Sequence, residues 1–343
     1  MRNGNVLIIA EAGVNHNGDL EKAVELIKVA SDAGADFVKF QTFKAENIVS
    51  RRAKKAVYQI QNMNDDESLQ FNMLKKLELD DDAHHFLIQE CRKHNIEFLS
   101  TAFDVEGIDY LENLGIPIFK SPSGEITNLP YLERIASLGK PVILSTGMAT
   151  FAEVEAAIRV LKKGGLKKDV ITVLHCNTEY PTPMEDVNLH AMNWMSEKLG
   201  VSVGYSDHTL GIEVPIAATA LGAKVIEKHF TLDRTLPGPD HKASLEPDEL
   251  KSMVLGIRNI ELAISGDGVK KPTESEVKNL EIVRKSLHLK RSLKTGERIE
   301  AQDLIPLRPG SGINPMRFYD VVGKVVSKDI EQFEKLNWLD LVE

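Results

Sequence analysis

Residues 204–240 read GYSDHTLGIEVPIAATALGAKVIEKHFTLDRTLPGPD and give the clearest indication of the fold. Two short apolar strands, residues 201–205 and 224–227, each lead into a polar cluster that contains a histidine, His208 or His229. A helical segment that ends in a glycine separates them. This order predicts one βαβ unit, in which both histidines lie at the carboxyl ends of parallel strands. In a parallel α/β barrel, catalytic side chains lie at that end.

The same alternation of short apolar runs and longer amphipathic segments fills residues 1–265. The predicted strands are residues 5–10, 37–40, 96–99, 118–120, 142–144, 171–174, 201–205 and 224–227. Eight strand–helix repeats over this length match a (β/α)8 TIM barrel, which usually has about 250 residues. A doubly wound sheet has the same alternation, but the count of eight and the lack of GxGxxG after the first strand favour the barrel.

The composition changes after Ser265. Residues 266–282 are rich in glycine and lysine and predict a linker, with a short helix at 274–279. Residues 283–343 predict short strands and turns, and so a small second domain near the lower size limit for independent folding. The predicted domains are therefore a catalytic barrel at 1–265 and a C-terminal domain joined to it by the linker.

Composition and charge exclude several classes of protein. The formal net charge is −9 and no long block of Lys or Arg occurs, which argues against nucleic-acid binding. The two cysteines, Cys91 and Cys176, form no CxxC motif and favour a reduced, cytoplasmic setting. No apolar run approaches the ~20 residues needed to cross a bilayer, and residues 1–10 show no signal-peptide pattern. We therefore expect a cytoplasmic protein without nucleic-acid or membrane partners.

Titratable and hydroxyl-bearing side chains crowd the carboxyl ends of the predicted strands. The set is Glu11, Asn15, His16, Lys39, Gln41, Thr101, Phe103, Lys120, Ser123, Glu125, Ser145, Thr146, His175, Asn177, Glu179, Tyr180, Asp207, His208, Glu227 and His229. This density exceeds what solubility requires, because loop residues could supply solubility. It predicts that this face of the barrel carries an active site.

The two histidines that follow neighbouring strands are candidate metal ligands. His208 and His229 could both direct a ring nitrogen at one divalent ion. The alternative is two unrelated histidines, one in a loop and one in the core. With two protein ligands, the ion would keep positions open for water and substrate, as a catalytic site does.

Two lysines lie at predicted strand ends, and the sequence allows two roles for them. Lys39 and Lys120 could each form a Schiff base or bind an anion. Small donors follow Lys120 at Ser123 and recur on the next strand at Ser145, which favours a phosphate or carboxylate site. Lysines that only reach solvent, and a Schiff-base enzyme, stay open as alternatives.

Three carboxylates complete the candidates. Glu11 and Glu125 suit general acid–base catalysis, or could simply pair with a lysine. Glu125 follows Ser123 by two residues, so its proton could serve a group bound near the phosphate. Asp240, in a Pro-Gly-Pro-Asp turn, could lie over the mouth of the barrel or only shape the turn.

Ten stretches of the sequence resemble the sialic acid synthase family, which includes N-acetylneuraminate synthases and their legionaminate- and pseudaminate-making relatives. They are IIAEAGVNHNGD, VKFQTFKAE, FLSTAFD, FKSPSGEITNLP, ILSTGMAT, LHCNTEYPTP, GYSDHTLG, IEKHFTLD, GPDHKAS and LRPGSGI. They follow the family's order over almost the whole chain. The resemblance implies that residues 283–343 form an antifreeze-like (SAF, β-clip type) domain, which in the family covers the barrel of the other subunit in a domain-swapped homodimer.

The resemblance also implies residue roles. A divalent metal, Mn²⁺ or Mg²⁺, would bind His208 and His229. The catalytic residues would be Glu125 as acid–base, with Lys39 and Glu11. Phosphoenolpyruvate and the sugar would contact Lys120, Ser123, Ser145, Thr101, Phe103, Asn177, Thr178, Gln41, Tyr180, Asp240 and Arg308, the last from the partner subunit.

Two departures from the family pattern stand out. The sequence has HCNT where some relatives have HCTN, which leaves open whether Asn177 or Thr178 contacts the ligand. It also has Thr-Ala-Phe103 where Thr-Pro-Phe is common, a change that we expect to be tolerated.

The implied reaction condenses phosphoenolpyruvate with N-acetylmannosamine, with C–O cleavage and metal activation of the aldehyde, to give N-acetylneuraminate and phosphate. The alternatives are a legionaminate synthase acting on 2,4-diacetamido-2,4,6-trideoxymannose, and a pseudaminate synthase. A Schiff-base lyase and a non-catalytic glycan-binding protein are alternatives of another class. Residues 44–72, which include the run 54–59, are the segment expected to discriminate between the sugars.

Overall fold

The computed structural model of the chain describes residues 5–63 and 69–343. Its backbone divides into two compact units, Met1–Ser265 and Gly266–Glu343. Among the described residues, helices fall short of the length and apolar character that a membrane span requires.

Eight parallel strands form a closed barrel in the first unit, as predicted. They are β1 Leu7–Gly13, β2 Phe37–Thr42, β3 Glu97–Ala102, β4 Phe119–Ser121, β5 Val142–Ser145, β6 Ile171–His175, β7 Ser202–Asp207 and β8 Val225–His229. Each strand pairs with the next in the chain, and β1 also pairs with β8, which closes the barrel. The register places Glu11 beside both Lys39 and His229.

Helices follow the strands along the chain, and in the described part of the chain three short ones lie between β2 and the next long helix. The helices are α1 Leu20–Ala33, α2 Ala45–Ile48, α3 Val57–Met63, α4 Gln70–Lys75, α5 Asp81–Lys93, α6 Val105–Asn113, α7 Leu129–Ser137, α8 Phe151–Lys163, α9 His190–Leu199, α10 Glu213–Ala220 and α11 Pro247–Ala263. Several of these helices, α1, α5, α6, α7 and α8, begin at a side chain that caps the first turn. In α8, for example, Thr150 and Glu153 form a reciprocal capping box.

The interior of the barrel changes from apolar to polar along the strands. One buried cluster takes one residue from each of six strands and the residue just before β4: Ile9, Phe37, Leu99, Ile118, Ile143, Leu174 and Val225. Because side chains alternate faces with a period of two, the next inward positions on β1, β2 and β8 are Glu11, Lys39 and Glu227. Inside the barrel, a layer of apolar side chains therefore lies beneath a layer of polar ones.

Gly204 allows β7 and β8 to approach closely. A Cβ atom there would lie 2.2 Å from the Val225 carbonyl oxygen and 2.7 Å from Leu174 Cδ2. Only glycine fits at this position without a shift of the backbone. The first residue of the quoted stretch thus brings the two histidine-bearing strands together.

The strands and the β2–α5 segment differ from the sequence expectation in detail. The strands extend into their polar ends, so that Glu11 and His229 lie within β1 and β8, because the closed ladder satisfies their backbone groups. Residues 44–72, which showed no periodicity, contain α2, α3 and the start of α4. These helices are four to seven residues long, too short to produce a readable amphipathic pattern. Residues 64–68 of that segment lie outside the described residues.

The second unit has its own apolar core. It contains α12 Glu274–Val283, β9 Ser286–Leu289, β10 Leu304–Leu307, α13 Phe318–Val321, β11 Val325–Val326 and β12 Leu341–Val342. Strands β9 and β10 pair antiparallel, as do β11 and β12. Its buried cluster is Leu287, Leu289, Leu293, Ile299, Leu304, Ile313, Val321, Val326, Ile330 and Leu336. Helix α12 is longer than the helix predicted at 274–279, because its apolar residues continue to Val283.

Candidate active site

A cavity of about 740 Å³ lies at the carboxyl ends of the barrel strands. Its walls include fourteen of the predicted site residues: Glu11, Lys39, Gln41, Thr101, Phe103, Lys120, Ser123, Glu125, Ser145, Thr178, Tyr180, His208, His229 and Asp240. The polar ends of the strands therefore meet in one place, as the barrel topology requires.

Two buried lysines and two buried carboxylates form a charge cluster at the base of the cavity. Lys39 Nζ lies 2.8 Å from Glu11 Oε2 and 3.2 Å from Glu227 Oε2, and donates to Thr101 Oγ1 at 3.0 Å. Lys120 Nζ lies 3.4 Å from Glu227 Oε1 and donates to Ser145 Oγ at 2.8 Å. Glu227 thus bridges the two ammonium groups.

Proton affinities in this cluster follow from burial and charge. Burial alone would raise the pKa of Glu227, but Lys120 and Lys39 outweigh it and hold the pKa well below its usual range. Burial, reinforced by Glu227, raises the pKa of Glu11 to about 7 even though Lys39 opposes the shift. Burial would lower the pKa of Lys39, but Glu11 and Glu227 raise it. Lys39 is therefore a fixed cation suited to an anion, and not a neutral amine nucleophile.

The histidines lie side by side with their rings neutral. The ring centroids of His208 and His229 are 5.5 Å apart, and Tyr180 stacks on His208 at 4.0 Å. Burial lowers the pKa of His208 to about 4 and that of His229 well below its usual value. Both rings therefore keep a nitrogen lone pair at neutral pH.

The contacts of these rings fit a metal site with two protein ligands. His208 Nδ1 donates to the Asn177 carbonyl at 2.6 Å, which leaves Nε2 as the lone-pair nitrogen. His229 Nδ1 is buried and has no hydrogen-bond partner among residues 5–63 and 69–343. Within the same residues, no group of three or more His, Cys, Asp or Glu could hold a metal. An ion bound here would thus keep several positions open.

Small side chains after β4 and β5 shape the edge of the cavity beyond Lys120. Ser123 Oγ accepts from Gly147 N at 2.9 Å. A Cβ atom on Gly147 would lie 2.6 Å from Thr178 Cγ2 and 2.9 Å from Ser123 Oγ, so glycine is required. Glu125 lies on the same turn as Ser123, and Asn128 Nδ2 donates to Glu125 Oε2 at 2.6 Å. This amide fixes the direction of the carboxylate.

Asp240 carries a buried carboxyl group. It is 7% exposed, and burial raises its pKa to about 7. A buried acid that keeps its proton near neutral pH can donate to, or accept from, a substrate hydroxyl.

Asn177 is not among the described residues that line the cavity, and Arg308 belongs to the other compact unit. Asn177 Oδ1 accepts from Glu179 N at 2.7 Å, and its carbonyl orients His208, whereas Thr178 lies in the cavity wall. Within the second unit, Arg308 Nε donates to the Val283 carbonyl at 2.9 Å.

Sequence reasoning gave no role to several residues that line the cavity. Glu227 was named at a strand end, and its spacing of two from His229 was the available signal for the same inward face. Ser206 donates to Glu227 Oε1 at 2.8 Å and lies two residues before His208 on β7. Cys176 also lines the cavity and touches Ser123 Oγ at 3.4 Å.

Comparison with known proteins agrees with this fold. A sequence model described as the NeuB family matches residues 26–270, which is most of the chain. The chain belongs to the NeuB family. A model of the SAF domain matches residues 284–342, which confirms the predicted C-terminal domain.

Three relatives of this NeuB-family chain illustrate the likeness. The N,N'-diacetyllegionaminic acid synthase of Campylobacter jejuni is 56% identical over 328 residues, covering 96% of this chain and 98% of that protein. The enzyme of the same name from Legionella pneumophila is 48% identical, covering 96% and 93%. A crystal structure of N-acetylneuraminic acid synthetase from Leptospira borgpetersenii is 37% identical with a TM-score of 0.70, covering 81% and 91%.

NeuB-family membership also settles the class of protein. The relatives are named synthases, so the chain is an enzyme of the sialic acid synthase type. The Schiff-base lyase and the non-catalytic glycan-binding protein considered above are not supported.

Proposed function

We propose that the protein condenses phosphoenolpyruvate with 2,4-diacetamido-2,4,6-trideoxymannose to give N,N'-diacetyllegionaminic acid and phosphate. The observation that carries this proposal is the 56% identity, over nearly the full length of both chains, to a synthase of that product. N-acetylmannosamine was the first expectation from the sequence and the diacetamido sugar the alternative. The relatives favour the alternative.

The charge cluster supports phosphoenolpyruvate as the anionic substrate. Lys39 and Lys120 are buried at the base of the cavity, with Ser145 and Thr101 as neighbouring hydroxyl groups. Ser123 and Thr178 extend the donors to the rim. We assign these groups to the phosphate and carboxylate, which they would hold throughout the reaction as preorganised charge.

We propose that His208 and His229 hold one divalent ion, Mn²⁺ or Mg²⁺. The support is the chemistry of the donor set: two neutral imidazoles, one oriented by a carbonyl and one with a buried nitrogen that has no partner in the part of the chain that the structure describes. When bound, the ion would polarise the sugar aldehyde as a Lewis acid. We place the sugar beside these rings, against Glu11, Gln41, Tyr180 and Asp240.

The chain's own residues would manage the remaining chemistry. C3 of phosphoenolpyruvate forms a bond to the aldehyde carbon, and a water adds at C2. Glu125, directed by Asn128, takes the proton from that water. The aldehyde oxygen takes up a proton as its double bond to carbon breaks. The C2–O–phosphate intermediate then loses phosphate by C–O cleavage while its C2 hydroxyl gives up its proton, which leaves the 2-keto acid. Lys39 and Lys120 stay bound to the departing phosphate and the carboxylate.

Two further features of the proposal concern assembly and location. We propose a domain-swapped homodimer in which Arg308 of one subunit completes the sugar site of the other, on the ground of the SAF domain that the chain contains. We also propose a cytoplasmic location. The support is that Cys91 and Cys176, the two cysteines of the chain, are buried and free.

The test is phosphate release measured with each candidate sugar at saturating phosphoenolpyruvate and Mn²⁺. We expect the kcat/KM for the diacetamido sugar to exceed that for N-acetylmannosamine by at least about tenfold. A tenfold difference corresponds to the free energy of one good hydrogen bond or of two buried methyl groups. A preference for N-acetylmannosamine, or for the precursor of pseudaminic acid, would overturn the choice of sugar. The proposed metal is tested with a chelator. Activity should be lost when the chelator is added and should recover when Mn²⁺ or Mg²⁺ is restored.

A further inference from the structure

One wall of the cavity comes from the segment between β2 and α5 and is mainly apolar. We call it the distal wall, and its cavity-lining members include Val49, Ala56, Gln59, Met73 and Leu74. Met73 belongs to a small buried cluster that is separate from the barrel core, and Leu74 packs against that cluster. The wall is therefore a packed structure that presents apolar surface to a cavity with a charged base.

The side chain of Asn62 ties the distal wall to the sugar half of the site. Its Nδ2 donates to the Pro239 carbonyl at 2.7 Å and to the Tyr180 carbonyl at 3.3 Å. These carbonyls lie in the loops that follow β8 and β6, beside Asp240. One amide therefore fixes α3 against the loops that carry Tyr180 and Asp240.

Gln59 lies one helical turn before Asn62, on the same face of α3. It is 8% exposed and lines the cavity. Its Oε1 accepts from Ala56 N at 2.9 Å, and Nε2, which carries two donors, makes no hydrogen bond to the described residues 5–63 and 69–343. A donor held in an apolar wall favours a ligand with a carbonyl acceptor and methyl groups.

The two candidate sugars differ in those groups. The diacetamido sugar has an acetamido group at C4 and a methyl group at C6, where N-acetylmannosamine has hydroxyl groups. A hydroxyl placed against an apolar wall would lose its water without gaining partners, whereas a methyl group gains burial.

We infer, on the basis of the proposed function, that the distal wall selects the sugar. Gln59 Nε2 donates to the C4 acetamido carbonyl, and Ala56, Met73 and Leu74 contact the methyl groups. The groups beside the two histidines bind what the candidate sugars share, and the distal wall contacts the groups in which they differ.

The test compares kcat/KM for the diacetamido sugar and for N-acetylmannosamine in Gln59→Met and Gln59→Glu. Methionine keeps the length of the side chain without its donors, and glutamate keeps the acceptor for Ala56 N. Both variants should lose about tenfold for the diacetamido sugar and about twofold or less for N-acetylmannosamine. The KM for phosphoenolpyruvate should not change in Gln59→Met.

Ile60→Ala, on the outer face of the same helix, is the matched control. It should leave the ratio of kcat/KM for the diacetamido sugar to kcat/KM for N-acetylmannosamine unchanged, since Ile60 is 46% exposed. Asn62→Ala should also reduce the ratio, because Asn62 holds in place the helix that carries Gln59. Combining it with Gln59→Met should add little, because both changes remove the same contact between Gln59 and the sugar. Equal losses for both sugars in the Gln59 variants, or a similar change of ratio in Ile60→Ala, would overturn the inference. Failure of the proposed function shows separately, as a wild-type preference for another sugar.

Discussion

Glu227 shows how one residue organises the charges of the site. It is the carboxylate between Lys39 and Lys120, and its low pKa keeps a negative charge there. Two lysines without it would repel each other at the base of a buried cavity. Because the pKa of Glu11 is raised to about 7, its negative charge is only partial near neutral pH, so the carboxylates balance the lysines incompletely and the cavity suits an anionic substrate.

At Glu125, replacement by glutamine tests the assigned proton transfer. Glu125→Gln should lower kcat by about 10²–10⁴-fold, because the amide cannot take a proton from water. Binding of phosphoenolpyruvate, measured by calorimetry, should change little. Glu133→Gln, an exposed acid on α7, is the control and should behave as wild type. Near-normal turnover in Glu125→Gln would remove Glu125 from this role.

Asp240 should make the stability of the metal-free protein depend on pH. Burial raises its pKa from 3.8 to about 7, so the folded state holds a proton that the unfolded state has released. The contribution of Asp240 to stability is full below about pH 4 and is lost as the pH rises through about 7.

Asp240→Asn removes this proton linkage. Relative to wild type, the variant should gain nothing near about pH 4 and about 2–4 kcal/mol of unfolding free energy near about pH 8. Denaturant titrations at the two pH values, without metal or substrate, measure the difference. An equal effect at both pH values would contradict the assigned cause, and activity should fall in this variant in either case.

At the scale of elements, a buried ion pair joins the two strands that carry the histidines. Lys228 Nζ lies 2.6 Å from Asp207 Oδ2, and both side chains are fully buried. Lys228 also donates to the Thr209 carbonyl, and Asp207 accepts from Thr209 N at 3.0 Å. Asp207 directly precedes His208, and Lys228 directly precedes His229. The ion pair therefore restrains the backbone next to both histidines.

Lys228→Met should weaken both the fold and metal binding. It leaves Asp207 buried without a cation, which costs about 3–5 kcal/mol of unfolding free energy, and it frees the turn that carries His208. Denaturant unfolding and Mn²⁺ titration followed by electron paramagnetic resonance measure the two effects. Arg159→Met, which breaks the exposed pair with Glu155, should cost less than about 1 kcal/mol and leave Mn²⁺ affinity unchanged. Unaltered Mn²⁺ affinity in Lys228→Met would show that the pair serves stability alone.

At the scale of the whole molecule, the question is which subunit supplies Arg308. Co-expression of an Arg308→Ala chain with a Glu125→Gln chain gives heterodimers in which each subunit has one defect. If Arg308 acts on the partner's barrel, one of the two sites combines an intact Glu125 with an intact Arg308. Purified heterodimers should then have about half of the wild-type activity, although each homodimer is inactive.

The opposite result is equally clear. If Arg308 acted within its own chain, both sites of the heterodimer would carry a defect and phosphate release would stay at the level of the homodimers. Differently tagged subunits, separated by two affinity steps, supply the heterodimer. A dimer mixed from two wild-type chains with the same tags is the control.

The sequence by itself determined the barrel and most of its active face. A period of two along eight strands places Ile9 before Glu11 and Phe37 before Lys39, and this alternation is a local property of the chain. The carboxyl ends of parallel strands lie at the same end of a barrel, so the sequence alone predicts that His208 and His229 lie close together, as they do. The family motifs then indicated the reaction class.

Only the tertiary structure decided which groups pair across the barrel. Glu227 bridges Lys39 and Lys120, Thr178 rather than Asn177 enters the cavity wall, and Asn62 reaches Tyr180 over 118 residues of sequence. These contacts depend on strand register and on loop paths, which short-range patterns do not encode. Selectivity for the sugar depends on such contacts, whereas the βαβ unit at 204–240 and its two histidines follow from local sequence alone.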